Sequence, residues 1–102
     1  MTISKKVTQA IFRAIDEVNA LLPREQRLEK TIDSVLVGMG GKLDSLGLVN
    51  LIVASEQKIE EEFGITITLA DPDVMAEQDG PFRTIGTLIW YIQSIVEASS
   101  NG

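Results

Sequence analysis

Three long blocks of the sequence repeat apolar residues every three or four positions, which is the period of an amphipathic helix. The first block, residues 3–22, stops at Pro23, which cannot continue a helix. The second block begins after Asp44 and stops at Gly64, and the third begins after Thr84. Because an amphipathic helix must bury its apolar stripe against another element, the three blocks predict an all-α fold with one core.

The residues at the block boundaries have the side chains expected of helix caps. Asp44 and Thr84 can accept hydrogen bonds from the free backbone N–H groups of the turn that follows. Gly64 readily adopts the left-handed conformation that ends many helices. The predicted core stripes are Val7, Ile11, Ala14, Ile15, Val18, Leu21 and Leu22 in the first helix, Leu46, Val49, Ile52, Val53, Ile59 and Phe63 in the second, and Ile85, Leu88, Ile89, Ile92, Ile95 and Val96 in the last.

Two connections between these helices can be read from their composition. Residues 23–43 carry a short apolar patch followed by several glycines, and they predict a long loop with room for one helical turn. Residues 65–69 alternate apolar and polar side chains like a strand, but an otherwise helical pattern offers no partner strand. We therefore interpret them as an extended connection that places Ile65, Ile67 and Leu69 in the core, with a strand as the alternative.

A fourth, shorter helix is predicted before the last block. Asp71 and Pro72 are typical of an N-cap and a first helical position, and this helix would end near Gln78. The expected architecture is a four-helix bundle, with three main helices, one short helix and a long loop between the first and second helices. Residues 1–98 would form a single domain, and residues 99–102 a flexible C-terminal tail.

The composition excludes most catalytic and metal chemistry. The chain has no histidine and no cysteine, so the commonest general base and the thiolate ligands are absent. Ser45 would need a base to act as a nucleophile, and the nearest amine in sequence is Lys42. The Gly-x-Ser-x-Gly motif of hydrolases is also missing. We therefore expect no enzyme and no metal site, and Asp44-Ser45 taken alone would be an ordinary helix start.

The chain has a net charge of −6, and its negative charge is concentrated in the second part. Residues 44–102 hold ten acids and two bases, whereas residues 1–43 hold five acids and seven bases. This distribution disfavours nucleic acid as a partner and favours either a basic protein surface or a purely solubilising role. The sequence also lacks a signal-peptide pattern and any apolar run near the roughly 20 residues that span a bilayer. We expect a cytoplasmic monomer without stable membrane insertion.

Three segments of the sequence resemble the acyl carrier protein family. They are "GKLDSLGLVNLIVASEQ" around Ser45, "EEEFGITI" after it, and "PFRTIGTLIWYI" at residues 81–92. The segments occur in the family's order and, with the first helix and the long loop, extend the resemblance over most of the chain. The resemblance implies a four-helix bundle of the acyl-carrier type.

The resemblance also implies a role for the serine. Ser45 would carry 4′-phosphopantetheine, derived from coenzyme A and attached by a phosphopantetheinyl transferase that supplies the base and the magnesium. Acyl groups would be held as thioesters on this arm and exchanged with acyl ligases, synthases or acyltransferases. Residues implied in recognition by partners are Asp44, Leu46, Asn50, Glu56 and Glu60. Candidates for contact with an acyl chain, all of which an empty core would also need, are Val49, Ile52, Val53, Ile67, Ile85 and Ile89.

The sequence departs from the family near the serine. Carriers of fatty acid synthesis typically have acids two and five residues after it, where this chain has Gly47 and Asn50. The second helix is also about one turn longer. These departures point to a specialised carrier in a dedicated lipid, lipopolysaccharide, capsule or secondary-metabolite pathway. The alternatives are a peptidyl or aminoacyl carrier and an unmodified acidic helical interaction domain.

Overall fold

The computed structural model describes residues 2–37, 40–69 and 80–101. These ranges contain the helices α1 (Thr2–Ala20), α2 (Ser45–Phe63) and α3 (Ile85–Asn101), a single 3-10 turn at Arg24–Gln26, and no strand. The all-α prediction is thus confirmed for this part of the chain. The predicted short helix from Asp71 to Gln78 lies outside the described residues.

Helices α1 and α2 pack against each other in antiparallel orientation. Arg13 Nη2 lies 2.6 Å from Glu62 Oε1, and one turn further along α1 the Glu17 carboxylate contacts the ammonium of Lys58. Its hydrogen bond with Lys58 raises the pKa of Lys58 above the usual value for lysine. The contribution of this ion pair to stability is therefore present at neutral pH and lost only as the pH rises through that raised pKa.

The core stripes of α1 and α3 match the prediction, apart from Leu21 and Leu22 after α1 and Ile95 in α3. In α1 the stripe is buried through Val18, but Leu21 follows the helix end and is 72% exposed. In α3 the stripe is buried except for the half-buried Ile95, and Trp90 lies outside it with 71% exposure. The helix also extends into the predicted tail, as far as Asn101.

The predicted stripe of α2 is wrong in its first half. Leu46, Val49 and Val53 are 69%, 45% and 46% exposed. The physical reason is that α2 has apolar residues on more than one face, so its sequence is compatible with two different buried stripes. Packing in the common core selects the stripe that contains Leu48, Leu51 and Ile59. Among the residues of α2 whose burial the structure describes, those that are buried are Gly47, Leu48, Leu51, Ile52, Ala54, Ser55 and Ile59.

The long loop between α1 and α2 is hydrogen-bonded to the start of α3. The backbone N–H of Ile85 donates to the carbonyl of Ser34 at 3.0 Å, and that of Gly86 donates to the carbonyl of Ile32 at 2.9 Å. These two N–H groups belong to the first turn of α3, where a helix provides no acceptor of its own. The loop thus caps α3, a pairing that the sequence did not predict.

Side-chain caps and the connection after α2 are as predicted. Thr84 Oγ1 accepts from the backbone N–H of Thr87 at 3.0 Å, and Thr87 Oγ1 accepts in return from that of Thr84 at 3.0 Å. Gly64 ends α2 with φ +69°. Residues 65–69 form no secondary structure, and Ile67 and Leu69 are buried, whereas Ile65 is only partly buried against the core. Within the described ranges, no helix is long and apolar enough to cross a bilayer.

The contact between the loop and α3 makes Gly86 sensitive to substitution. A Cβ at this position would lie 2.9 Å from the carbonyl oxygen of Ile32, and the hydrogen bond between the same two residues resists any shift. We expect Gly86→Ala to lower the free energy of unfolding by about 1–3 kcal/mol, although alanine is the better helix former. Urea denaturation followed by circular dichroism measures this change.

Gly47→Ala is the matched control within another helix. Its Cβ would meet the movable end of Leu43, at 3.1 Å from Cδ2, rather than backbone. This variant should therefore lose less stability than Gly86→Ala. Unchanged or increased stability of Gly86→Ala would contradict the proposed contact.

Candidate functional site

The start of α2 is fixed by Asp44, which caps the helix as predicted. Asp44 has an extended backbone, and its Oδ1 accepts a hydrogen bond from the N–H of Gly47 at 2.8 Å. Ser45 is the first residue of α2. Because Asp44 and Leu46 are both exposed, the backbone on either side of Ser45 lies at the surface of the molecule.

The one amine near Ser45 in sequence is held by the loop. Lys42 Nζ donates to the carbonyl oxygen of Arg27 at 3.2 Å, which directs this side chain to the loop backbone. The chain has no histidine or cysteine, and the part that the structure describes holds no cluster of three acids able to bind a metal ion. These contacts give no support to nucleophilic catalysis by Ser45.

Gly47 has a packing role that the sequence did not reveal. A Cβ at this position would lie 3.1 Å from Cδ2 of Leu43 and 3.3 Å from Oδ1 of Asp44. The glycine therefore lets the side chain of Leu43 lie against the first turn of α2, over the capping hydrogen bond. A longer side chain at position 47 would require Leu43 to move.

Two of the predicted recognition residues, Glu56 and Glu60, bind the connection after α2. Glu56 Oε2 accepts from the backbone N–H of Leu69 at 2.7 Å, and Glu60 Oε2 accepts from the hydroxyl of Thr66 at 3.1 Å. Glu56 is half-buried and Glu60 is exposed. Both carboxylates thus hydrogen-bond to residues of this connection. They lie in the second half of α2, away from Asp44 and Leu46 at its start.

The six residues predicted to contact an acyl chain divide into four that are buried and two that are exposed. Ile52, Ile67, Ile85 and Ile89 are buried in the common core, whereas Val49 and Val53 lie on the exposed side of α2. The difference follows from the orientation of α2 described above.

A groove lies between the end of α1 and the start of α2, and the two neighbours of Ser45 in sequence, Asp44 and Leu46, line it. It has a volume of about 340 Å³ and is lined by Val18, Leu21, Leu22, Gln26, Lys42, Leu43, Asp44, Leu46, Gly47 and Asn50. A second depression of about 330 Å³ continues it along α2, and the two share Val18, Leu21 and Asn50. We call these two depressions together the α1–α2 groove. The sequence pattern assigned Leu21 and Leu46 to the core, so it gave no signal for this surface.

Three of the predicted recognition residues, Asp44, Leu46 and Asn50, line this groove, and Asn50 also lines its second depression. Its side chain is half-buried and has no hydrogen-bond partner in the described part of the chain. An amide that is partly withdrawn from water benefits from a partner that can donate or accept. The groove therefore combines exposed apolar side chains with an available polar group.

Comparison with known proteins identifies no relative of this chain. No protein-family model, no curated protein and no solved structure matches it.

The hydrogen bond from Leu69 to Glu56 should contribute measurably to stability. Glu56→Ala leaves the N–H of Leu69 without its acceptor, and a hydrogen bond to a charged group contributes about 1.5–3 kcal/mol. We expect the unfolding free energy to fall by a similar amount and amide exchange at Leu69 to accelerate in NMR measurements.

Glu61→Ala is the matched control on the same helix. Glu61 is exposed and lies 3.7 Å from Lys58, so its loss should change the unfolding free energy by no more than about 0.5 kcal/mol. If the two substitutions lowered the unfolding free energy equally, the hydrogen bond to Leu69 would not be stabilising, and the prediction would be wrong.

Proposed function

We propose that this chain is an acyl carrier protein that carries acyl groups on 4′-phosphopantetheine attached to Ser45. The observation that carries the proposal is the place of Ser45 as the first residue of α2, between the exposed residues Asp44 and Leu46. A modifying enzyme can approach such a segment without opening the fold. The four-helix acyl-carrier architecture belongs to this proposal.

The attachment reaction requires no catalytic group on this chain. The hydroxyl oxygen of Ser45 attacks the phosphorus of coenzyme A that carries the pantetheine, forming a new O–P bond. The P–O bond of the pyrophosphate breaks, and adenosine 3′,5′-bisphosphate leaves. The transferase supplies the base that takes the proton of Ser45 and the magnesium that neutralises the leaving group. A chain without histidine or cysteine is compatible with this division of roles.

The start of α2 is chemically suited to a phosphodiester. The free N–H groups of the first turn of a 19-residue helix, together with its dipole, favour an anion at this end. The carboxylate of Asp44 already accepts from Gly47, so part of its charge is satisfied by the backbone. When bound, the arm supplies a thiol on which acyl groups are held as thioesters.

The exposed face of α2 suggests how partners dock. Near Ser45 it presents apolar side chains at Leu46, Val49 and Val53, and Gly47 and Asn50 replace the acids typical of general carriers. Docking to the transferase and to acyl ligases, synthases or acyltransferases would therefore rely more on apolar contact than on charge. This supports a carrier dedicated to one lipid, polysaccharide or secondary-metabolite pathway.

An unmodified interaction domain is the second candidate. It is favoured by the exposed Trp90 on α3, since a large exposed aromatic residue is typical of binding surfaces. A domain of this kind would keep its function in Ser45→Ala, whereas a carrier would lose it. A peptidyl or aminoacyl carrier would share the modification and differ in the group that its ligase loads.

Attachment is tested by intact-protein mass spectrometry after incubation with coenzyme A, magnesium and a broad-specificity phosphopantetheinyl transferase. We expect the wild type to gain one phosphopantetheine group and Ser45→Ala to gain none. Ser94→Ala, which removes an exposed serine on α3, is the control and should be modified like the wild type. The proposal fails if two transferases of different specificity leave the wild type unchanged, or if Ser45→Ala is also modified.

A further inference from the structure

We propose that the hydroxyl of Ser55, in the core of the molecule, is a hydrogen-bonding partner for an oxygen of the acyl cargo. The preferred cargo is then an acyl chain with a hydroxyl or oxo group close to its thioester, in preference to a saturated chain. The inference rests on the proposed function and adds the chemical class of the group that is carried.

Ser55 is a buried polar residue whose hydroxyl has no partner. Its side chain is 0% exposed, and its Oγ makes no hydrogen bond in the part of the chain that the structure describes. Its neighbours one turn away on the buried face of α2 are the apolar residues Leu51, Ile52 and Ile59. A buried hydroxyl without a partner costs free energy that an apolar side chain at the same position would not. The core thus contains a donor and acceptor that the fold itself does not use.

Other hydroxyls within the helices show how such a group is usually satisfied. Thr8 Oγ1 donates to the carbonyl oxygen of Ser4 at 2.9 Å. Ser94 Oγ donates to that of Trp90 at 3.0 Å. Ser55 makes no such bond to the carbonyl four residues before it. Its hydroxyl therefore remains available to a ligand that enters the core.

The register of α2 places Ser45 and Ser55 on the same face of the helix. Ser45, Leu48, Ile52 and Ser55 follow one another at steps of three, four and three residues. Beyond the helix start this face is buried, since Leu48 and Ile52 are 8% and 2% exposed. Val49, four residues after Ser45, is 45% exposed and leaves the beginning of this path open to solvent. The path from the attachment position therefore leads along α2 towards Ser55.

The length of the arm matches the distance between the two serines. From residue 45 to residue 55 the helix rises roughly 15 Å at 1.5 Å per residue. An extended pantetheine arm has a similar length, so the arm alone occupies this distance. The thioester at its end and the first carbons of the cargo then reach the level of Ser55. An oxygen on carbon 3 of the chain is therefore the one that we assign to this hydroxyl.

The chemistry of a serine hydroxyl suits both forms of an oxygenated chain. It can donate to an oxo group and accept from a hydroxyl group. An oxygen of the cargo that entered the core without a partner would lose its hydrogen bonds to water, and a saturated chain would leave Ser55 unpaired. Pairing the two groups satisfies both at once, which favours the oxygenated chain.

The test compares two cargoes on two proteins. Wild type and Ser55→Ala are loaded by transferase with phosphopantetheine that carries either octanoyl or 3-hydroxyoctanoyl, the latter in each configuration at carbon 3. The NMR chemical shift of the labelled terminal methyl group of the cargo reports the ratio of core-bound to free cargo. We expect Ser55→Ala to lower this ratio about tenfold for one configuration of the hydroxylated chain, which corresponds to about 1.4 kcal/mol, and not to lower it for octanoyl. Equal effects on the two cargoes, or no entry of either cargo into the core, would overturn the inference.

Two controls exclude a purely structural role of the hydroxyl. Ser94→Ala removes an exposed hydroxyl on α3 and should leave the ratio unchanged for both cargoes. In the unloaded protein, Ser55→Ala should keep or raise the urea midpoint, because it removes an unpaired hydroxyl and alanine is the better helix former. A clear fall of that midpoint would show that the hydroxyl has a partner without cargo, and would contradict the inference.

A chemical route separates this inference from the proposed function. Because the chain has no cysteine, Ser45→Cys offers a single thiol that an iodoacetamide can alkylate. The probe carries two amides and ends in the octanoyl or the 3-hydroxyoctanoyl chain. If two transferases leave the wild type unmodified but the alkylated protein shows the preference that depends on Ser55, the proposed modification is refuted and the binding role of Ser55 is confirmed. If the wild type is modified and neither arm shows the preference, the inference is refuted and the proposed function stands.

Discussion

The hydrogen bond from Gly47 N–H to Asp44 Oδ1 determines where α2 begins, and the rest of the site depends on it. It makes Ser45 the first helical residue. Without the cap, the free N–H groups of the first turn would have to find other partners, and fraying of that turn would move Ser45 and Leu46 together. The glycine that donates this bond also makes room for Leu43, so the cap and the loop before it form one unit.

Local features of the fold could be predicted from the sequence because their physical causes are local. Asp44, Thr84 and Gly64 act on the backbone within one turn of their own position, and their side chains or conformations are sufficient to mark the helix ends. The extended connection at residues 65–69 was predictable for a related reason, since no second strand was available to pair with it. The all-α class of the described residues follows from the three amphipathic blocks that these residues delimit.

The features that could not be predicted depend on residues far apart in the chain. The apolar residues of α2 admit two stripes, and only packing against α1 and α3 selects the one that contains Leu51 and leaves Val53 outside. The bond from Leu69 to Glu56 joins residues 13 positions apart, so the carboxylate gave no sign of a structural role. The α1–α2 groove likewise arises because α1 ends at Ala20 and leaves Leu21 exposed beside α2.

The central claim is that Ser45 carries a phosphopantetheine arm in the cell. The most direct measurement is fragmentation mass spectrometry of the protein isolated from its own source, applied to the peptide that contains Asp44, Ser45 and Leu46. The account predicts that this peptide carries one phosphopantetheine group, located at Ser45 and released by fragmentation. A peptide recovered only in unmodified form, from cells whose other carrier proteins are modified, would contradict it.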